Sequence, residues 1–198
     1  MELVDVFKGA RVEKFKRGDV LYKMGEDPRS IYFLIEGLVG LVVWSESGKD
    51  HLLRLFKKNQ IFGHRSFFAQ EPYHASATVI EDATVYVISK EEMRDRMKGN
   101  CDLAEKLLQT LAAELRRAEE KQVVLTEKDV TARIAEAVVY FKDFHPTHSW
   151  TRQEIADFCG TTAATVIRTL AKFVDDGLIE QRGREIIILN KDELLSQG

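Results

Sequence analysis

TRQEIADFCGTTAATVIRTLAKFVDDGLIEQRGREIIIL, residues 151–189, decides the fold of the chain's C-terminal part. Thr151 has a side-chain oxygen suited to capping a helix, and Glu154 three residues on completes a capping box. Ile155 and Phe158 give that helix an inner face. Gly160 supplies a tight left-handed turn without steric cost. Thr161 or Thr162 caps a second helix, in which Val166, Leu170 and Phe173 point inward. Ala156, Gly160 and Val166 fall where a helix-turn-helix needs a small residue, a turn glycine and an apolar contact. Beyond Asp175-Asp176-Gly177, LIEQRGREIIIL predicts two short strands around Arg182-Gly183-Arg184, which is a wing.

The second helix is chemically biased. Thr161 to Val174 contains no acidic residue, whereas Arg168 and Lys172 are basic and Thr161, Thr162 and Thr165 are small hydrogen-bonding groups. Such a surface suits entry into the major groove of double-stranded DNA. The alternative is a three-helix packing module without DNA, since such domains also mediate protein contacts.

Upstream, ARIAEAVVYFKDF predicts a helix opening at Thr126 or Asp129, with Ile134, Ala137, Val138 and Phe141 on one side. Pro146 ends it, and His145 and His148 read as loop residues. Before that, apolar or small residues recur at Met93, Met97, Cys101, Ala104, Leu108, Leu111, Leu115 and Ala118, a heptad seam. Leu103 and Leu107 form a second edge. One face of a long helix can then pack on its own domain while the other meets a second copy, since an isolated seam would expose too much apolar surface. From Phe15 to Ile88, short segments rich in Val, Ile, Phe and Tyr are broken at Gly18-Asp19, Gly25-Glu26, Glu36-Gly37 and Ser47-Gly48, the pattern of an antiparallel barrel or sandwich. The expected divisions are 1–89, 90–125 and 126–198.

Composition narrows the function classes. A formal charge of -3 gives no global pull toward nucleic acid or acidic membranes, so DNA binding must come from a local surface. The start MELVDVFKGA carries Glu2 and Asp5, and no signal-peptide pattern follows. The most apolar segment, 31–44, is interrupted by Glu36, Gly37 and Gly40, so a cytoplasmic protein with no membrane partner is expected. Only Cys101 and Cys159 are available as thiols, too few for a cysteine-ligated zinc or iron–sulfur centre, and both are expected to be buried. His51, His64 and His74 include no His-x-His pair of a barrel metalloenzyme. Ser66 lacks a nucleophile elbow, and no Walker-type loop is present, so the chain is not expected to be an enzyme.

The order of barrel, long helix and winged helix resembles the CRP/FNR family of bacterial transcription regulators. Thr151-Arg152-Gln153-Glu154-Ile155-Ala156, Gly160, Thr165-Val166, Arg168, Leu178-Ile179 and Gly183 carry the likeness most specifically. Gly18-Asp19, Gly25-Glu26, Glu36-Gly37 and Gly63 add the barrel. The resemblance implies an α+β architecture: an N-terminal antiparallel β-barrel of the cyclic-nucleotide-binding jelly-roll type, a long dimerisation helix and a C-terminal winged helix-turn-helix. It implies a homodimer on two-fold symmetric promoter DNA, acting with RNA polymerase. Met97, Cys101, Ala104, Leu108, Leu111, Leu115 and Ala118 would form the dimer interface. Thr165 and Arg168 would face bases or nearby phosphates, and Arg152 and Gln153 the backbone. Ala163-Ala164 stand where many members carry an Arg-Glu pair. Alanines can still touch a thymine methyl, and Arg168 can pair with guanine.

The stretch IFGHRSFFAQEPYHASAT, residues 61–78, lies where family members keep their effector. In cyclic-nucleotide-binding members a Gly-Glu pair stands at Gly63-His64, and an Arg-Ser pair holding the cyclic phosphate stands at Tyr73-His74. An anion in a partly dry pocket needs a charge-assisted partner, which a neutral Tyr-His pair supplies poorly. Arg65 and His74 could form a different anion site with Ser66 nearby. His64 also lies close to a haem ligand of one gas-sensing member. The effector therefore stays open among cAMP, haem, an unknown ligand and none. A ligand-binding module without DNA activity would show no salt-dependent DNA binding.

Overall fold

The computed structural model describes residues 3–44 and 50–197. The Ser47-Gly48 turn expected from sequence lies outside them. The chain divides into two compact units, Met1–Arg116 and Arg117–Gly198.

The first unit opens with α1 (Leu3–Val6) and contains β1 (Arg11–Phe15), β2 (Val20–Tyr22), β3 (Ser30–Trp44), β4 (Asp50–Phe56), β5 (Ile61–Phe62), α2 (His64–Ala69), β6 (Ser76–Ser89) and α3 (Lys90–Met97). Helix α4 follows (Cys101–Glu127). The six strands form one antiparallel sheet in the order β1-β6-β3-β4, with β2 added to β6 and β5 to β3. Two strands are longer than the sequence breaks suggest. Glu36-Gly37 is not a turn between strands but an irregularity inside β3, where the register against β6 shifts between Leu34 and Val39. Gly37 has φ 94°, and a Cβ there would collide with the Asp82 carbonyl oxygen. Only glycine allows the strand to bend there and stay paired.

Alternation along β3 sends its side chains into two cores. Tyr32 and Leu34 join Tyr22, Phe56, Phe62, Tyr73 and Val85 in one. Ile31 and Phe33 join Phe7, Ile61, Phe67, Ile88, Met93, Leu103 and Leu107 in the other. Both faces of this strand segment are buried because helices cover the second face, which explains its nearly continuous apolar run.

The single helix expected from residue 90 is two helices. Ser89 caps α3 by accepting from the Glu92 amide, and Lys98 is extended. Gly99 then turns with φ 68°, and Asn100 Oδ1 accepts from the Leu103 amide at the start of α4. The heptad seam is therefore broken between Met97 and Cys101. Met93 is fully buried, and Met97, partly buried, packs against the same core of the first unit. Cys101 is exposed, not a buried thiol, whereas Cys159 is buried as expected.

The second unit contains α5 (Val130–Phe144), α6 (Arg152–Cys159), α7 (Ala163–Asp175), β7 (Ile179–Arg182), β8 (Glu185–Ile188) and α8 (Lys191–Leu195). Asp129 caps α5 by accepting from the Ala132 amide. Ile134, Ala135, Phe141, Ile155, Ala156, Val166, Leu170 and Phe173 form its interior. Strands β7 and β8 pair as an antiparallel hairpin, the wing.

Candidate functional site

Local chemistry fixes the helix-turn-helix. The Thr151 hydroxyl accepts from the Glu154 amide at 3.1 Å, and Glu154 Oε2 accepts from the Thr151 amide at 2.8 Å. Both halves of the capping box are present. Gly160 ends α6 with φ 65°, and Thr162 caps α7 by accepting from the Thr165 amide at 3.2 Å. Burial of Val166, Thr169, Leu170 and Phe173 turns the opposite face of α7 outward. That face presents Ala164, Ile167, Arg168, Ala171 and Lys172, the i, i+3, i+4, i+7 and i+8 positions of one helical stripe.

The expected DNA-contacting residues fall into two groups. Ala164, Arg168 and Lys172 are exposed on α7, and Thr161, Ala163 and Thr165 are partly exposed at its start. Thr162 and Thr165 are also bound to each other through their hydroxyls at 3.0 Å. Arg152 and Gln153 are more committed. Arg152 donates to the Gln181 side chain and, at 3.4 Å, to the Arg184 carbonyl, tying α6 to the wing. Gln153 donates to Asp157 at 2.6 Å. Sequence reasoning missed Ile167, which is 55% exposed in the middle of the stripe. Counting three residues on from Ala164 finds it, whereas searching by charge does not.

The 61–78 loop is arranged differently from a ligand cradle. Tyr73 stacks on Tyr22 with ring centroids 3.7 Å apart, and its hydroxyl donates to the Ser30 carbonyl at 2.9 Å. Tyr32, Phe56 and Phe62 continue the aromatic packing. Burial pushes the phenols of Tyr22 and Tyr73 well above their ordinary range, so they stay neutral. Gly63 leads into α2 with φ 78°, and Ser66 donates to the Pro72 carbonyl at 3.3 Å. His74 is exposed at its surface, and partial burial with the nearby Arg65 charge lowers its pKa.

His64 is buried against α4. Its Nε2 lies 3.4 Å from Glu114 Oε2. The same oxygen is 2.9 Å from Arg54 Nη1 and 4.0 Å from Arg65 Nε. Burial opposes ionisation of Glu114, but His64 and Arg54 outweigh it and hold the carboxyl below its ordinary pKa. A cyclic nucleotide does not fit these residues. Position 64 offers no carboxylate for a ribose hydroxyl, positions 73 and 74 offer no guanidinium for a phosphate, and the Tyr73 ring is packed into the aromatic core. Among the described residues no group of three histidine, cysteine or carboxylate side chains could hold a metal ion. No described helix is long and apolar enough to cross a membrane.

Known proteins match both units. Residues 12–100 match the family model of the cyclic nucleotide-binding domain, and residues 132–196 that of the Crp-like helix-turn-helix domain. The chain is 28% identical to the CRP-like cAMP-activated global transcriptional regulator of Mycobacterium tuberculosis, over 91% of this chain and 84% of that protein. Its fold is similar to FixK2 from Bradyrhizobium japonicum, with a TM-score of 0.83, 23% identity and coverage of 94% of this chain and 96% of that one. It is also similar to a CRP/FNR-family transcriptional regulator from Thermus thermophilus, with a TM-score of 0.79, 24% identity and coverage of 94% and 99%. With a cyclic-nucleotide-binding-type sheet, a long helix and a Crp-like winged helix in one chain, the protein belongs to the CRP/FNR family of transcriptional regulators.

Proposed function

We propose that the chain is a homodimeric, sequence-specific DNA-binding regulator of transcription that works without cAMP. The observation that carries this reading is the exposed stripe of α7, where Arg168 and Lys172 stand among small residues with no acid between Thr161 and Val174. Arg168 reads a guanine edge, Ala164 and Ile167 touch thymine methyls, and Thr161, Thr162, Thr165 and Lys172 contact phosphates. Arg152 holds the wing beside them, and Gln153 lies at the backbone.

A second copy pairs along α4. Leu108 is 66% and Leu115 57% exposed, next to Ala104, Leu111 and Ala118, an apolar stripe unsuited to water. In such a dimer the two recognition helices sit about 34–36 Å apart, one turn of B-DNA. The dimer acts in the cytoplasm on promoter DNA with RNA polymerase and has no catalytic role of its own. The relative from Mycobacterium tuberculosis is named as cAMP-activated. That trait does not extend to this chain, because Tyr73 fills the aromatic core and neither charged nucleotide partner is present.

A promoter-library selection with purified protein, run with and without cAMP, tests both parts. Enrichment of a palindrome without additive is expected. Enrichment only with cAMP would overturn the nucleotide-free reading, and a monomer at micromolar concentration with no enrichment would overturn the regulator itself.

A further inference from the structure

The outward stripe of α7 is poor in hydrogen-bonding groups. Ala164, Ile167 and Ala171 carry neither a side-chain donor nor an acceptor, and Arg168 and Lys172 only donate. The stripe therefore offers no acceptor for the exocyclic amine of adenine or cytosine. At the start of the helix the Thr162 and Thr165 hydroxyls bond to each other at 3.0 Å, and Thr161 stands before the helix begins.

Ile167 is the largest apolar side chain of the stripe and is 55% exposed. Its branched Cβ holds χ1 in one strongly preferred rotamer on a helix, so it loses little freedom on meeting a surface. Arg168 beside it and Lys172 one turn on attract a polyanion, with no acid between Thr161 and Val174 to oppose them. The second helix of a helix-turn-helix lies in the major groove. There thymine presents a C5 methyl group beside its O4 acceptor, and cytosine a bare C5 edge beside its N4 amine. Isoleucine and alanine side chains bond to neither O4 nor N4, so they cannot tell the two apart. They can tell a methyl group from its absence.

We propose that the ligand of this stripe is the C5 methyl group itself, so that α7 takes 5-methylcytosine in place of thymine and refuses unmethylated cytosine. The assignment rests on α7 being the DNA-binding helix and goes one step further: Ile167 determines specificity, and binding responds to the methylation state of cytosines in the site. A helix that read these positions through hydrogen bonds would group thymine with uracil, which share O4, and cytosine with 5-methylcytosine, which share N4. The apolar stripe groups thymine with 5-methylcytosine, and uracil with cytosine.

The test uses the full chain and the palindromic duplex enriched without additive in the promoter-library selection. Each thymine of the half-sites is replaced symmetrically by uracil, by cytosine and by 5-methylcytosine, with the matching purine opposite. Affinities are measured by gel shift at one salt concentration. Burying one methyl group is worth a factor of about four, so at one thymine or more uracil should weaken binding about fourfold per half-site, or about fifteenfold for the symmetric pair. Adding the methyl group to cytosine at that position should recover a similar factor. Ile167→Ala, a change at an exposed position that leaves the interior intact, should shrink both methyl factors below about twofold per half-site. Arg168→Ala should weaken all four duplexes and leave the methyl factors in place. The proposal falls if the selected half-site holds no thymine, if uracil binds as well as thymine at every position, if 5-methylcytosine binds no better than cytosine, or if Ile167→Ala keeps both factors. Each of those outcomes leaves specific DNA binding standing. Failure to enrich any duplex would overturn the DNA-binding reading and this proposal together.

Discussion

Arg168 on α7 and Glu114 on α4 are both charged helix residues, and their surroundings are opposite. Arg168 is exposed on a stripe whose other members are Ala164, Ile167, Ala171 and a second cation, Lys172. Glu114 has a side chain 2% exposed, with Arg54, His64 and Arg65 converging on one oxygen. The exposed cation contributes little to folding and is free to meet a polyanion. The buried carboxylate has lost its hydration and depends on its partners, so it reports on the integrity of the first unit. The Arg168 charge is left open to solvent, whereas the charges around Glu114 join β4, α2 and α4.

The largest effect should come from breaking the interior half of that contrast. Glu114→Ala leaves the Arg54 charge without its buried partner and is expected to cost about 3–5 kcal/mol of stability, read as a lower denaturant midpoint of the first unit. A change under about 1 kcal/mol would mean that water reaches the cluster freely. Arg168→Ala should do the reverse. Its stability should stay within about 0.5 kcal/mol of the parent, while specific DNA binding weakens by about 1–3 kcal/mol in a gel-shift titration. Unchanged affinity would remove Arg168 from base reading.

The same contrast explains what was legible in the sequence. The winged unit is built from local signals: Thr151 and Glu154 cap within one turn, Gly160 makes its own turn, and Thr162 caps α7. Each involves residues close in sequence, so spacing alone reveals it. The split between α3 and α4 was equally local at Gly99 and Asn100, but the continuing four-and-three apolar spacing hid it. Glu114 was not legible, because beside a heptad seam it has the position of a solvated charge. Only the arrival of Arg54 from β4 and His64 from α2 shows that it is buried. Tyr73 is similar: as a replacement for an expected arginine it looks like a loss, whereas its stack on Tyr22 makes it a core residue.

Tyr73 sharpens the comparison with a smaller effect. Tyr73→Phe keeps the stack and removes only the hydroxyl that donates to the Ser30 carbonyl. An expected loss of about 1 kcal/mol in chemical denaturation corresponds to one buried hydrogen bond. Binding of DNA without cAMP should be unaffected, since the aromatic packing remains. If the variant acquired a cAMP requirement, the Tyr73 hydroxyl would be holding the loop in its active arrangement.

The smallest expected effect tests whether the second unit has its own version of the buried carboxylate. Burial pushes the Glu154 carboxyl up, but the His148 side chain and the Thr151 amide outweigh it and leave the pKa below its ordinary value. A carboxyl with a depressed folded pKa contributes stability that is present above its unfolded pKa, about 4.3, and is lost as pH falls through the folded value. Glu154→Gln keeps an acceptor for the Thr151 amide, because glutamine also completes a capping box. It removes the charge facing His148. The expected cost at neutral pH is therefore only about 0.5 kcal/mol, with a shallower acid-side loss than the parent in melts taken between about pH 6 and pH 3. A parent and variant with parallel acid limbs would show that the neutral capping bonds alone hold this turn. Glu114 would then be the one carboxylate of the pair whose charge the fold requires.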